Sequence, residues 1–217
     1  MAWRGGGTGG RRRRGALESA AGTRLPALLA GLHQRHPQVR VELQTGTSGA
    51  LLQRLAAFEL DAAFVSQPFT APGLHQRAVF EERLVLITGL GGPPVRVPAD
   101  LGEATVIAFA QGCSYRQQLM AWLGAGQVLP RRTLEMASYH AIIACVAAGT
   151  GCAIVPEAVL AAVTAGSAVQ VHALPDDLAR NTTHLVWPGD ASPALAALIA
   201  ELPVPPVPAN PSAGGPR

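Results

Sequence analysis

The stretch from Val39 to Val65 constrains the fold more than any other part of the chain, because its pattern predicts a strand, a polar turn, a helix and a second strand. In its first part, valine and leucine alternate with polar residues at the two-residue period of a half-buried strand. Thr47 or Ser48 then supplies a helix N-cap, and leucines recur at the spacing of a helix face that packs on a sheet. Ala62 to Val65 is wholly apolar, as in a parallel strand covered on both faces. The pattern therefore predicts a parallel βαβ unit whose turn lies at the carboxyl edge of the sheet, where open α/β sheets bind ligands.

Strand and helix patterns continue to alternate outside this unit. Gly15 to Ser19 is expected to end a first strand, and a connector rich in glycine and proline at 89–98 separates two consecutive α/β units. The last strand and helix, which end at residue 202, are expected to return to the first unit. The arginine-rich segment 1–14 and the proline-rich segment 203–217 have no hydrophobic periodicity, so both are expected to be disordered.

The charged residues are unevenly distributed. All 17 basic residues are arginines, and five of them fall within the first 14 residues. The remainder holds 12 basic and 14 acidic residues, a formal net charge of −2, which is not the charge of a nucleic-acid binder. No apolar run is long enough to predict a membrane span. The basic start resembles the beginning of an export signal, but Glu18, Arg24 and Pro26 interrupt the apolar core that such a signal needs.

The residues that could carry chemistry indicate neither an enzyme nor a metal site. Cys113, Cys145 and Cys152 have no CxxC spacing and indicate reduced thiols in the cytoplasm. The 6 histidines show no metal-ligand spacing. The segment GTSGA does not match the G-x-S-x-G nucleophile motif, because Ala50 stands two residues after Ser48. We therefore expect no catalytic residues, no metal and no cofactor.

Several segments, in this order and spacing, resemble the effector-binding domain of LysR-type transcriptional regulators, which has the type 2 periplasmic-binding-protein fold. The resemblance covers roughly Gly15 to Leu202. One departure is that the family's first strand is usually apolar, whereas Arg11 to Arg14 occupy its place here. The matching segments are GALESAAGTRLPALLAGLHQRHPQVRVEL (15–43), TGTSGALLQRLAAFELDAAFV (45–65), VFEERLVLIT (79–88), GCSYRQQLMAWL (112–123) and AAGTGCAIVPEAVL (147–160).

The resemblance implies an α/β fold with two Rossmann-like subdomains joined by two crossover strands. One subdomain would comprise 15–87 plus 187–202 and the other 88–186, with a small effector in the cleft between them. It also implies a homodimer or higher homo-oligomer in which the helix at 24–36 packs on the helix at 138–148 of a neighbouring chain. The winged helix-turn-helix and linker helix that precede this domain in the family have no counterpart in the sequence. We therefore expect contact with DNA only through that missing part.

The effector-contacting loops of the family correspond to short polar segments of this chain. Carried over residue by residue, the implied ligand-binding residues are Ser19, Thr47, Ser48, Ser66, Cys113, Ser114, Tyr115, Arg116 and Ser138.

General physical arguments agree for several of these residues. Ser19, Thr47, Ser114 and Ser138 each follow a predicted strand and open or precede a helix, so their hydroxyls and nearby N–H groups suit a carboxylate. Capping alone would also justify a residue such as Thr47. Arg116 lies in the first turn of a helix, an unfavourable end for a cation, so it needs either a surface acid or the carboxylate of a ligand.

We interpret the chain as the ligand-sensing and oligomerising domain of a LysR-family regulator that binds a small, anionic effector, a carboxylate for example, in the cytoplasm. Cys113 is interpreted as a small buried side chain or as an activated thiolate, because it lies just ahead of a helix. The alternative functions are a stand-alone or exported solute-binding protein of the same fold and, from another class, an enzyme on this fold.

Overall fold

The computed structural model describes residues 12–163 and 168–203. The predicted disordered tail after Pro203, and the first 11 residues of the predicted basic arm, lie outside this range. The strands are β1 Arg12–Ala16, β2 Val41–Thr45, β3 Ala62–Ser66, β4 Leu74–Gly89, β5 Thr105–Ala108, β6 Arg132–Glu135, β7 Ala153–Pro156, β8 Val169–Ala173 and β9 Arg180–Pro188. The α-helices are α1 Glu18–Thr23, α2 Leu25–Arg35, α3 Ser48–Ala56, α4 Ser114–Ala125, α5 Tyr139–Ala147, α6 Glu157–Ala162, α7 Asp176–Ala179 and α8 Pro193–Glu201, and Pro98–Leu101 forms a 3₁₀ turn.

The predicted βαβ unit is confirmed as β2, α3 and β3. Thr47 is the N-cap of α3, and its hydroxyl accepts a hydrogen bond from the backbone N–H of Ala50 at 3.3 Å. Leu51 and Leu55 on α3 are fully buried, as the apolar spacing predicted. All five residues of β3 are buried, which agrees with a strand that is covered on both faces.

The sheets have the topology expected for two α/β subdomains joined by crossover strands. In the larger sheet the strand order is β2, β1, β3, β9, β4, β7, and β8 pairs with β4. β1 is parallel to both of its neighbours, whereas β3 with β9 and β4 with β9 are antiparallel. β5 and β6 form a parallel pair that a single bridge, Val106 to Cys152, connects to the start of β7. The long strands β4 and β9 thus run from one half of the molecule into the other.

The hydrophobic cores follow the same division. One core is built from residues between Leu84 and Ala179, including buried side chains of β4, β5, β7, α4 and α5. Two smaller cores combine residues between Ala16 and Val79 with residues from Leu185 to Leu202. The last strand and helix therefore return to complete the first unit, as the sequence predicted.

The first strand begins earlier than predicted, so the prediction of a disordered arm over 1–14 is wrong for its last three residues. β1 starts at Arg12 and lies between β2 and β3, which supply backbone partners on both sides. The Arg14 side chain is only 2% exposed, and its guanidinium lies 3.2 Å from the carboxylate of Asp61. Asp61 also accepts a hydrogen bond from the backbone N–H of Arg13 at 2.9 Å. A buried charge is tolerated when it is paired in this way, so the central place in the sheet accepts an arginine.

Within the described residues, no helix has both the length and the hydropathy that crossing a membrane requires.

Candidate functional site

A narrow cavity lies where strands of both halves end and helices begin. Residues at the ends of β1 and β3 line one side of the cavity, and residues at the starts of α4 and α5 line the other side. Its free volume is about 20 Å³, room for little more than one water molecule. A second cavity of about 280 Å³ adjoins it and shares Glu18, Gly46, Thr47 and Phe109 with it. The residues lining the narrow cavity are Leu17, Glu18, Gly46, Thr47, Ser66, Phe109, Cys113, Ser114, Tyr115 and Tyr139.

Three serines close this cavity by direct contacts between the two halves. The hydroxyl of Ser114, the first residue of α4, lies 2.6 Å from the carbonyl oxygen of Ser66 and 2.9 Å from the hydroxyl of Ser48. Ser48, the first residue of α3, accepts the backbone N–H of Ser66 at 3.1 Å. All three serines are buried, with 2% exposure or less. The hydroxyls of Ser48 and Ser114 and the backbone groups of Ser66 therefore satisfy one another in this conformation.

Backbone contacts reinforce the same closure. The N–H of Gly49 donates to the carbonyl of Gly112 at 3.0 Å, and the Thr47 hydroxyl lies 3.4 Å from the carbonyl of Gln111. Gly112 has a φ of +84°, and a Cβ at this residue would lie 3.1 Å from the Thr47 hydroxyl oxygen. Glycine therefore permits both the turn and the close approach of the two halves.

Aromatic side chains form one wall of the cavity. The rings of Phe109 and Tyr139 have centroids 4.7 Å apart. Tyr115 is buried, and its hydroxyl has no hydrogen-bond partner among the described residues. Burial raises the pKa of Tyr115 to about 12. The Ser66 and Ser19 side chains lie near enough to oppose this rise in part, but neither is placed to form a hydrogen bond with the Tyr115 hydroxyl. Tyr115 thus offers a protonated hydroxyl donor to this cavity at neutral pH.

Glu18 places a carboxyl group at the junction of the two cavities. It is the first residue of α1, and burial raises its pKa above the ordinary value. The backbone N–H of Tyr139, at the start of α5, and the charge of His140 act on the pKa in the opposite direction. The Glu18 carboxyl group is thus half-buried at the junction of the two cavities, near the start of α5.

The structure brings together most of the residues that the sequence singled out. Thr47, Ser66, Cys113, Ser114 and Tyr115 line the narrow cavity, and Ser48 is hydrogen-bonded to two of these residues. Ser19 is buried beside Tyr115 and Tyr139; burial raises the pKa of both tyrosines, and Ser19 opposes that rise only in part.

Four of the singled-out residues do not line either cavity: Ser19 and Ser48, whose contacts are given above, and Arg116 and Ser138. The Arg116 guanidinium contacts the Glu135 carboxylate at 2.8 Å and the Phe109 carbonyl at 2.9 Å, so an acid of this chain is its partner. Ser138 is the N-cap residue of α5, but its side chain makes no capping hydrogen bond.

The Cys113 thiol does not have the environment of an activated thiolate. It is 6% exposed, and burial raises its pKa more than the neighbouring N–H groups and Arg116 lower it. Of the two interpretations made from the sequence, the small buried side chain fits this environment.

Sequence reasoning did not single out Leu17, Phe109 or Asn181. Phe109 directly follows β5 and looks like one more apolar strand residue in the sequence. Asn181 lies on β9, where its side chain accepts a hydrogen bond from the Ser66 hydroxyl and donates to the carbonyl of Gln67 at 2.7 Å. Its only available signal was a polar residue at the start of a late strand. Among the described residues, no group of three or more His, Cys, Asp or Glu side chains is placed to hold a metal ion.

Comparison with known proteins identifies the family. The family model of the LysR substrate binding domain matches residues 5–203. The HTH-type transcriptional regulator GltR of Bacillus subtilis is 32% identical over 190 residues, which are 87% of this chain and 64% of that protein. Another such relative, YusT of the same organism, is 31% identical over 79% of this chain and 57% of its own length. This chain thus spans less than two thirds of the length of these relatives.

Solved structures of the same fold include two complexes with small molecules. The regulatory domain of CcmR from Synechocystis, in complex with 2-PG, has a TM-score of 0.76 and 21% identity over 88% of this chain and 94% of that one. The effector binding domain of QuiR, in complex with shikimate, has a TM-score of 0.74 and 15% identity over the same shares of the two chains. The fold is therefore that of an effector-binding domain with a periplasmic-binding-protein-like architecture, and the chain belongs to the LysR substrate-binding domain family.

Proposed function

We propose that this chain is the ligand-sensing part of a cytoplasmic LysR-type transcriptional regulator and that it binds a small effector carrying a carboxylate or a similar anion. The effector would lie between a subdomain of residues 15–87 plus 187–202 and a subdomain of residues 88–186. The observation that carries the proposal is the meeting of Ser48 and Ser114, the first residues of two helices from different subdomains, with their hydroxyls 2.9 Å apart.

The preference for an anion follows from the helix ends. α3 has 9 residues and α4 has 12, and the N-terminus of each, with its positive partial charge, lies at the cavity, which Thr47 and Ser114 line. The buried Tyr115 hydroxyl, which has no partner among the described residues, supplies a further donor. Shikimate, which is bound by one protein of the same fold, is itself a carboxylate.

Effector binding requires the closed cavity to open. The contacts of Ser114 with Ser48 and Ser66 would be exchanged for contacts with the effector. Such an exchange shifts the equilibrium between two cleft geometries towards the one that binds the effector more tightly. The size of the shift is set by the difference between the effector's affinities for the two geometries. In this proposal the shift alters how copies of the domain pair through α2 and α5. Such pairing in turn spaces winged helix-turn-helix heads that lie outside residues 15–202.

The test is the thermal unfolding of the purified chain in the presence of small carboxylates. A ligand at about one hundred times its dissociation constant adds roughly 2.7 kcal/mol to the free energy of unfolding. For a domain of this size that corresponds to an increase in Tm of roughly 5–11 °C. Thr47→Ala and Ser114→Ala should reduce the increase, while Ser138→Ala, at a helix start outside the cavity, should leave it unchanged. Hits that survive both cavity variants, or no hit from a folded sample, would refute the proposal.

A further inference from the structure

The charged side chains that line the two adjoining cavities are carboxylates. Among the described residues, Glu18 is the only charged side chain that lines the narrow cavity, and Glu135 joins it in the second one. Arg116, at the start of α4, is already paired with Glu135 and does not line either cavity. The ring of His140, which influences Glu18, is exposed, and its effect on the pKa of Glu18 is smaller than that of burial. An effector that carries only negative charge would therefore meet Glu18 without a lining cation to offset it.

The surroundings of Glu18 are suited to a cation. Phe109 lines both cavities beside Glu18, and Tyr139 lines the narrow one. Aromatic ring faces attract ammonium groups, more strongly when water is excluded. A half-buried carboxylate next to aromatic rings is thus complementary to a positively charged group of a ligand.

Groups suited to an anion lie in the same cavity. Thr47, which caps the 9-residue helix α3, and Ser114, which opens the 12-residue helix α4, both line the narrow cavity with Tyr115, a residue 4% exposed whose hydroxyl has no partner among the described residues. The two sets of groups therefore offer an anion-binding end and a cation-binding end within one small space. The second cavity, at about 280 Å³, is close to the lower bound of about 300 Å³ for small-molecule pockets.

We propose that the effector is a zwitterion of the amino-acid class, with its carboxylate directed to the starts of α3 and α4 and its ammonium group directed to Glu18 and Phe109. The proposal rests on the proposed function, since it places the ligand in the same cleft. Glu18 is then a specificity-determining residue that distinguishes an amino acid from the corresponding acid without the amino group.

Titration calorimetry at pH 7.5 with matched pairs tests this inference. The pairs are L-alanine and propionate, L-glutamate and glutarate, and L-phenylalanine and 3-phenylpropionate, which differ only in the α-ammonium group. The amino acid of at least one pair should bind at least tenfold more tightly than its partner. Glu18→Gln should abolish this preference. Glu157→Gln removes the same charge from the first turn of α6, at an exposed position outside both cavities, and should retain the preference.

The outcomes separate this inference from the proposed function. If a deaminated acid binds as tightly as its amino acid and Ser114→Ala weakens its binding, the inference is overturned and the proposed cleft stands. If amino acids bind but Ser114→Ala and Thr47→Ala leave their affinity unchanged, the inference and the proposed function are both overturned. The absence of binding by every compound at 10 mM also overturns the inference. The comparison of pairs on the unsubstituted chain decides the outcome even where Glu18→Gln does not fold.

Discussion

The serine contact between the subdomains makes a quantitative prediction about Ser114→Ala. The substitution removes a buried hydroxyl that lies 2.6 Å from the Ser66 carbonyl and 2.9 Å from the Ser48 hydroxyl. An intramolecular hydrogen bond contributes about 0.5–1.5 kcal/mol, so two contacts give an upper range of about 1–3 kcal/mol. Ser48 and Ser66 keep their own hydrogen bond at 3.1 Å, so neither is left unpaired. The expected loss is therefore about 1–2 kcal/mol.

The loss should appear in two measurements. Urea unfolding should show the decrease in the free energy of unfolding directly. Hydrogen exchange should show it locally, because the amide of Gly49 donates to the Gly112 carbonyl across the same closure. A loss of 1–2 kcal/mol corresponds to about a 5–30-fold faster exchange of this amide if it exchanges through opening of the cleft.

Ser138→Ala is the matched control, because Ser138 also stands at a helix start of the second subdomain but makes no capping hydrogen bond. Its effect on the free energy of unfolding should stay within about 0.5 kcal/mol. If Ser114→Ala and Ser138→Ala lowered the free energy of unfolding equally, the serine contact would not hold the subdomains closed. An unchanged exchange rate of the Gly49 amide in Ser114→Ala would refute the same idea.

Three further predictions concern stability and reactivity. Gly151→Ala should lower the free energy of unfolding by about 3 kcal/mol or more in urea titrations, because the new Cβ would lie 2.1 Å from the backbone carbonyl oxygen of Thr105. Gly22 lies in helix α1 with open space around it, so Gly22→Ala should be neutral or should raise the free energy of unfolding by up to about 1 kcal/mol. A maleimide should modify Cys145, which is partly exposed, before Cys113, whose pKa is raised by burial; faster modification of Cys113, read by mass spectrometry, would contradict this. Burial lowers the pKa of His172, so below pH 6.5 the unfolded state binds more protons than the folded state, and this residue's contribution to stability is lost as the pH falls through the lowered pKa. His172→Gln should therefore flatten the pH dependence of the free energy of unfolding in urea over that range. An unchanged pH dependence would argue against this role of His172.

The sequence was most informative where short-range patterns decide the structure. The β2–α3–β3 unit depends on a two-residue period, an N-cap at Thr47 and leucines spaced along one helix face, and all of these are local signals. Ser48 and Ser114 could be singled out for the same reason, since a hydroxyl between a strand and a helix is visible in the sequence.

Long-range partners decided the features that sequence reasoning missed. Arg14 is buried because β2, β3 and the Asp61 carboxylate surround it, and Asp61 lies 47 residues away in the chain. The role of Arg116 was left open between a surface acid and a ligand, and Glu135, 19 residues later, is its partner. Asn181 reaches Ser66 across 115 residues, which no local pattern reports.

The most direct test of the proposed effector site is a crystal structure of this chain with the small carboxylate or amino acid that raises its Tm most. We expect a ligand in the cleft, with its carboxylate within hydrogen-bonding distance of Ser114 or Thr47 and with the contact between Ser48 and Ser114 broken. A ligand bound instead in the open cavity of about 660 Å³ beside Phe69 and Trp122, with the three serines still in contact, would contradict it.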